Sequence, residues 1–169
     1  MNVTLYMAVS ANGFIARSDD STPWSDEEWS AFLSEVNSVG NMIIGRRTYE
    51  KIASDTGFGE YGDATVVVVS HALSAGDITG ITFVSSPEEA LHFFEDKGFS
   101  EALIAGGATL NASFLKAGLV DRLVLDVEPR LLGSGFRLFS GEVPERDLRL
   151  DEVRNLSDQS VQLRYSVVK

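Results

Sequence analysis

The 169-residue chain carries 25 acidic against 14 basic side chains, a formal net charge of −11, with 44 % hydrophobic and 23 % charged residues. A nucleic-acid binder needs a basic face to displace counterions from phosphates, and a membrane protein needs a long uninterrupted apolar run; neither is present in the sequence. With no cysteine and two isolated histidines, disulfides, thiolate nucleophiles and cysteine- or histidine-rich metal sites are set aside as well, and no metal is expected.

The size fits a single domain over residues 1–169, which on folding buries roughly 70 % of the surface of the unfolded chain. The opening "MNVTLYMAVS" has no basic leader followed by an apolar core, so a cytoplasmic location is expected.

"NVTLYMAV" is β-branched and apolar up to the turn-like "SANG", which predicts a buried strand. Ser25, followed by Asp26, Glu27 and Glu28, predicts a helix N-cap with acids in the first turn, and Trp29, Phe32, Leu33 and Val36 form its apolar stripe. "NMIIG" then reads as a short strand, "RRTYEKIA" as a short helix, and "ATVVVVS" as a strand covered on both faces. "ITFVS" is a further strand before a helix capped by Ser86 and Pro87. "EALIAGG" is followed by a helix "ATLNASFLKAG" that stops at Gly118. From "VDRLVLDVEP" onward helices vanish, and "LRLDEVRNLSDQSVQLRYSVVK" predicts a closing hairpin. The pattern is α/β: a mixed, mostly parallel sheet flanked by helices, with an antiparallel C-terminal hairpin.

Three strand ends could carry chemistry. Gly106 and Gly107 follow a strand and open a helix, so they serve either close packing or an anion approaching the free N–H groups of that helix. Gly45 precedes a helix whose first turn holds Arg46, Arg47 and Thr48. Guanidinium groups there oppose the helix dipole unless an anion sits nearby, the alternative being a solvated basic turn. Ser70 and His71 end the valine-rich strand, with His71 a phosphate contact or a plain loop residue. The full G-x-G-x-x-G and P-loop motifs are absent. Asp26, Glu27 and Glu28 are candidate acids or cap residues. Asp126, inside an apolar strand, needs partners or a shifted pKa.

In order, "MAVSANGFIA", "TPWSDEEWSAF", "MIIGRRTYEKI", "VVVVSHAL", "LIAGGATLNASFL" and "VDRLVLDVEPRLLGSGFRLF" resemble the dihydrofolate reductase superfamily over nearly the whole chain. The similarity is greatest to the branch that includes the reductase domain of bacterial riboflavin biosynthesis. The resemblance implies a dihydrofolate-reductase-like three-layer sandwich. It also implies an NADPH-dependent reductase that transfers a hydride to the C=N bond of a small heterocycle or imine, pterin-like or 5-amino-6-(5-phosphoribosylamino)uracil-like. A nucleotide-binding module that kept the fold without turnover is the alternative.

The same resemblance implies cofactor contacts at Gly45, Arg46, Arg47 and Thr48, at Ser70 and His71, and at Gly106, Gly107, Ala108, Thr109 and Leu110, whose Gly-Gly bond is often cis in the family. Ala8, Gly13 and Ile15 match the segment that lines the nicotinamide pocket. Folate reductases place one acid on their first helix, where this sequence has Glu28 or Trp29. The candidate catalytic groups are thus Asp26, Glu28 and Asp126, and a homodimer through the late strands is expected.

Overall fold

The computed structural model describes residues 1–71 and 80–168. Of the expected strand-end motif "VVVVSHAL", Ala72 and Leu73 lie outside the described residues.

Among the described residues, eight strands form the main sheet: β1 (Asn2–Ser10), β3 (Asn41–Gly45), β4 (Thr65–Val69), β5 (Ile81–Val84), β6 (Glu101–Ile104), β7 (Arg122–Glu128), β9 (Leu148–Asn155) and β10 (Val161–Val167). Their spatial order is β5-β4-β3-β6-β1-β7-β10-β9. The strands from β5 to β7 run parallel, and β10 is antiparallel to both β7 and β9. A second, two-stranded sheet pairs β2 (Phe14–Ala16) with β8 (Phe136–Arg137), which the sequence pattern does not announce.

Helices cover both faces because the central strands are apolar on both. Val66, Val67 and Val68 of β4 are all buried, Val67 packing with one cluster and its two neighbours with the other. On one side, Val3, Leu5, Ile43 and Val67 meet Ala90 and Phe94 of α3 (Pro87–Asp96) and Leu110 and Phe114 of α4 (Ala108–Lys116). On the other, Tyr6, Met42, Ile44 and Val68 meet Phe32 and Val36 of α1 (Asp26–Val39) and Tyr49 and Ile52 of α2 (Arg46–Asp55). Aromatic and branched side chains of this size stabilise a core by about 1.5–3 kcal/mol each when fully buried. The result is the expected three-layer sandwich.

Cap chemistry sets the helix boundaries. Ser25 Oγ accepts from the Glu28 N–H at 3.2 Å and Ser86 Oγ from the Glu89 N–H at 3.1 Å. Helix α1 ends at Gly40, whose φ of 76° is left-handed and whose N–H returns to the Val36 carbonyl. At the far edge the cover runs out: every residue of β9 is exposed.

Candidate functional site

A cavity of about 1020 Å³ opens at the carboxyl ends of the parallel strands, between α1, α2 and the starts of α3 and α4. Clefts at strand carboxyl ends are where open α/β sheets bind ligands, because the helix starts converge there.

One end of it is built from backbone. Strands β3 and β6 are neighbours, and each runs through glycine into a helix; the Gly45 N–H donates to the Gly106 carbonyl at 2.8 Å, locking the two turns together. Helices α2 and α4 begin at Gly45 and Gly107 with no side-chain cap, so their first N–H groups are left to an incoming anion. The Gly106–Gly107 peptide bond is cis, and Gly106 has φ 84°. A Cβ on Gly106 would lie 2.9 Å from Met7 Sδ, so that position is reserved for glycine. One on Gly107 would make only an ordinary 3.5 Å contact with Thr48 Oγ1.

The two arginines already hold carboxylates. Asp20 Oδ2 accepts from Arg47 Nε and Nη2 at 3.0 and 2.7 Å, and the Arg47 guanidinium lies 4.5 Å over the Phe136 ring. Arg46 Nη1 donates to Glu50 Oε1 at 3.0 Å, one helical turn on.

The other end is built from side chains. Tyr6, Trp29, Phe32 and Tyr61 line it, their ring centroids linked at 5.4 Å for Tyr6 to Phe32, 5.5 Å for Trp29 to Phe32 and 6.0 Å for Trp29 to Tyr61. Among them sits Glu28, 3 % exposed, with no hydrogen bond to its carboxyl group. Burial pushes its pKa up to about 8, and the nearby carboxylates of Asp126 and Glu128 push in the same direction. Both effects favour the protonated form of Glu28.

Why Glu28 is unpaired follows from a residue that sequence reasoning missed. In a Ser-x-x-Glu capping box the third-position glutamate takes the N-cap backbone N–H. Here Glu128 takes it instead, accepting from Ser25 N at 2.9 Å and Ser25 Oγ at 3.0 Å. A sequence signal existed: Asp126 and Glu128 alternate on β7, which places both on one face, toward α1.

The structure gathers Ala8, Ile15, Asp26, Glu28, Gly45, Arg46, Arg47, Thr48, Ser70, His71, Gly107, Ala108, Thr109 and Leu110 around this single cavity. Three of the expected residues do not line it. Gly13 does not line it; its N–H closes a turn on the Ser10 carbonyl at 2.8 Å with φ 83°. Gly106 lies behind the wall, facing Met7. Asp126 is fully buried and does not touch the cavity: it accepts from the Tyr6 hydroxyl and, at 2.8 Å, from Gln162 Nε2. Its pKa is raised by burial, partly offset by those two hydrogen bonds. Asp126 is thus a support for Tyr6, a wall residue. Among the described residues no cluster of histidine and carboxylate side chains could hold a metal ion, and no helix is long and apolar enough to cross a membrane.

The model of the RibD C-terminal domain matches residues 1–162. The chain belongs to the RibD C-terminal domain family. The Bacillus subtilis (strain 168) protein YwjB is 35 % identical to it over 170 residues, covering 95 % of both chains. A Shewanella sp. PV-4 structure solved under a riboflavin-biosynthesis name superposes over 100 % of both chains with a TM-score of 0.83 at 24 % identity. A Thermotoga maritima protein named as a diaminohydroxyphosphoribosylaminopyrimidine deaminase and 5-amino-6-(5-phosphoribosylamino)uracil reductase aligns with a TM-score of 0.77 at 16 % identity. It covers 99 % of this chain, which spans 56 % of that protein. At these identities the structural likenesses establish the fold of the RibD C-terminal domain family, a mostly parallel sheet between helices with an antiparallel pair at its end.

Proposed function

We propose that this chain is an NADPH-dependent reductase that acts on the C=N bond of a small heterocycle or imine. Its kinship with riboflavin-pathway reductase domains makes oxidoreductase chemistry the natural expectation, and the observation that carries the reading is the cavity's division of labour. One end offers uncapped helix starts and two guanidinium groups. The other offers a buried carboxyl, walled by aromatic rings, whose surroundings favour its protonated form.

The residues present fit such a cofactor. The first-turn N–H groups of α2 and α4 would hold its pyrophosphate, Arg46, Arg47 and Thr48 its 2′-phosphate side, and Ala8 and Ile15 its nicotinamide face. When bound, NADPH supplies the hydride. Glu28 holds the complementary proton and offers it to the nitrogen of the C=N bond, a task suited to a carboxyl whose pKa lies near the working pH. The rings of Trp29, Phe32 and Tyr61 keep water off that proton and stack a flat substrate.

Thermal melts with each nicotinamide cofactor, followed by a turnover screen over pterins, flavins and imines, test the reading. NADPH should raise Tm well above the shift given by NADH, since a ligand that binds only the folded state stabilises it by mass action. At least one substrate should then consume NADPH. Tight cofactor binding with no turnover on any compound would favour a binding module; no shift with either cofactor would refute the proposal.

A further inference from the structure

Among the described residues, the acid end of the cavity offers a phosphate no unpaired cationic side chain. Of the basic side chains lining the cavity among the described residues, Arg46 and Arg47 belong to the first turn of α2 and His71 follows β4. The remaining one, Lys51, donates to Asp55 Oδ2 at 2.7 Å. Residues 72–79 contain no lysine, arginine or histidine. Helix α1 also offers no anion site at its start. The Ser25 hydroxyl already caps Glu28 N–H, Glu128 already accepts from Ser25, and Asp26, Glu27 and Glu28 fill the first turn with carboxyl groups. Asp26, Asp55 and Glu60 also line the cavity.

What the end does offer is a continuous aromatic wall and one buried acid without a hydrogen-bond partner. From this we infer that the substrate is a planar, unphosphorylated nitrogen heterocycle, neutral or cationic, and that a phosphopentose on the ring is rejected. The inference rests on the reductase reading and narrows its substrate class. It separates this chain from the substrate named for the Thermotoga maritima protein, which carries a phosphoribosyl group. The cause is electrostatic: a phosphate dianion entering here would exchange water for carboxylates and a lysine that is already paired.

Calorimetric titration of the protein saturated with NADP⁺ tests this with a matched pair, 5-amino-6-ribosylaminouracil and its 5′-phosphate, and with pterin as a phosphate-free reference. The expected result is binding of pterin or the ribosyl compound, with the 5′-phosphate at least tenfold weaker than its parent. Asp55→Asn, which frees Lys51, should narrow that gap at least threefold. Equal or tighter binding of the phosphate would overturn the inference, as would failure of all three compounds while NADP⁺ still binds, or an unchanged gap in Asp55→Asn. Failure of NADP⁺ itself to bind would instead count against the reductase reading, so the two fail separately.

Discussion

Glu128 accepts both the backbone N–H and the hydroxyl of Ser25, at 2.9 and 3.0 Å, across 103 residues of sequence. The end of β7 therefore anchors the start of α1 and releases Glu28 into the cavity. Replacing Glu128 with Ala should cost about 1–2 kcal/mol of stability, the usual worth of a lost cap and its hydrogen bonds. Glu128→Gln keeps an acceptor and should lose less. Denaturant melts distinguish them; equal losses would show that the cap is not what Glu128 supplies.

The Glu28 carboxyl makes stability fall with rising pH. Its pKa moves from the ordinary 4.5 to about 8 on folding, so between those values the folded chain holds a proton that the unfolded chain has released. The stabilisation is fully present below the lower value and is lost as pH rises through the upper one. The groups facing it, Asp126 and Glu128, are acidic, and Asp126 is shifted in the same direction. The parent protein should thus lose Tm more steeply than Glu28→Gln between about pH 5 and pH 8.5, and the variant should be the more stable by at least about 1 kcal/mol at the upper limit. Parallel pH profiles would contradict a buried, protonated Glu28. Activity should fall in Glu28→Gln at every pH.

Asp20 sits on the guanidinium that the proposed cofactor's 2′-phosphate would use. Because an exposed ion pair is worth at most about 1 kcal/mol, Asp20→Ala should tighten NADPH binding by roughly two- to fivefold. Arg47→Ala should weaken it by about 1.5–3 kcal/mol while changing NADH less. Fluorescence titration of both cofactors decides this, and equal losses for NADPH and NADH would remove Arg47 from the phosphate site.

Much of the fold was legible because hydrophobic period and cap residues agree locally: the valines of β4 and the Ser25 and Ser86 caps act as their sequence suggests. The three strand-end motifs were legible as one site because parallel topology brings strand ends together. Glu28 was legible as a candidate acid, but its release from the helix cap was not. Its position in a Ser-x-x-Glu pattern argues for capping, and only the long-range pairing of Ser25 with Glu128 reverses that. Asp126 was noticed as an anomaly, but its partners Tyr6 and Gln162 lie on other strands, so register rather than sequence spacing reveals its place behind the wall. The β2–β8 pair escaped because two- and three-residue strands carry no readable period.

Gly107→Ala separates a ligand role from a packing role. The added methyl meets Thr48 Oγ1 at 3.5 Å, an ordinary contact, so apo stability should fall by no more than about 1 kcal/mol. NADPH affinity should drop at least tenfold because the methyl occupies the anion's approach to α4. Normal NADPH binding in a variant that merely melts earlier would assign the glycine to packing.

The uncovered β9 exposes Leu148, Leu150 and Val153, and Val168 follows β10 at the same edge. A two-fold homodimer through these late strands is expected, with twice the 18.4 kDa chain mass in light scattering. Leu150→Lys should return it to the single-chain mass; a parent protein already at that mass at micromolar concentration would refute the dimer.

The two halves of the cleft also differ in how easily they can change. At the glycine-led helix starts part of what is offered to a ligand is main-chain N–H groups, which most substitutions leave in place. Around Glu28 the wall includes the side chains of Trp29, Phe32, Tyr6 and Tyr61, each open to replacement one residue at a time. If the proposed reductase reading holds, directed evolution toward a new substrate should find its productive mutations on α1 and residues 52–61 rather than at the strand ends.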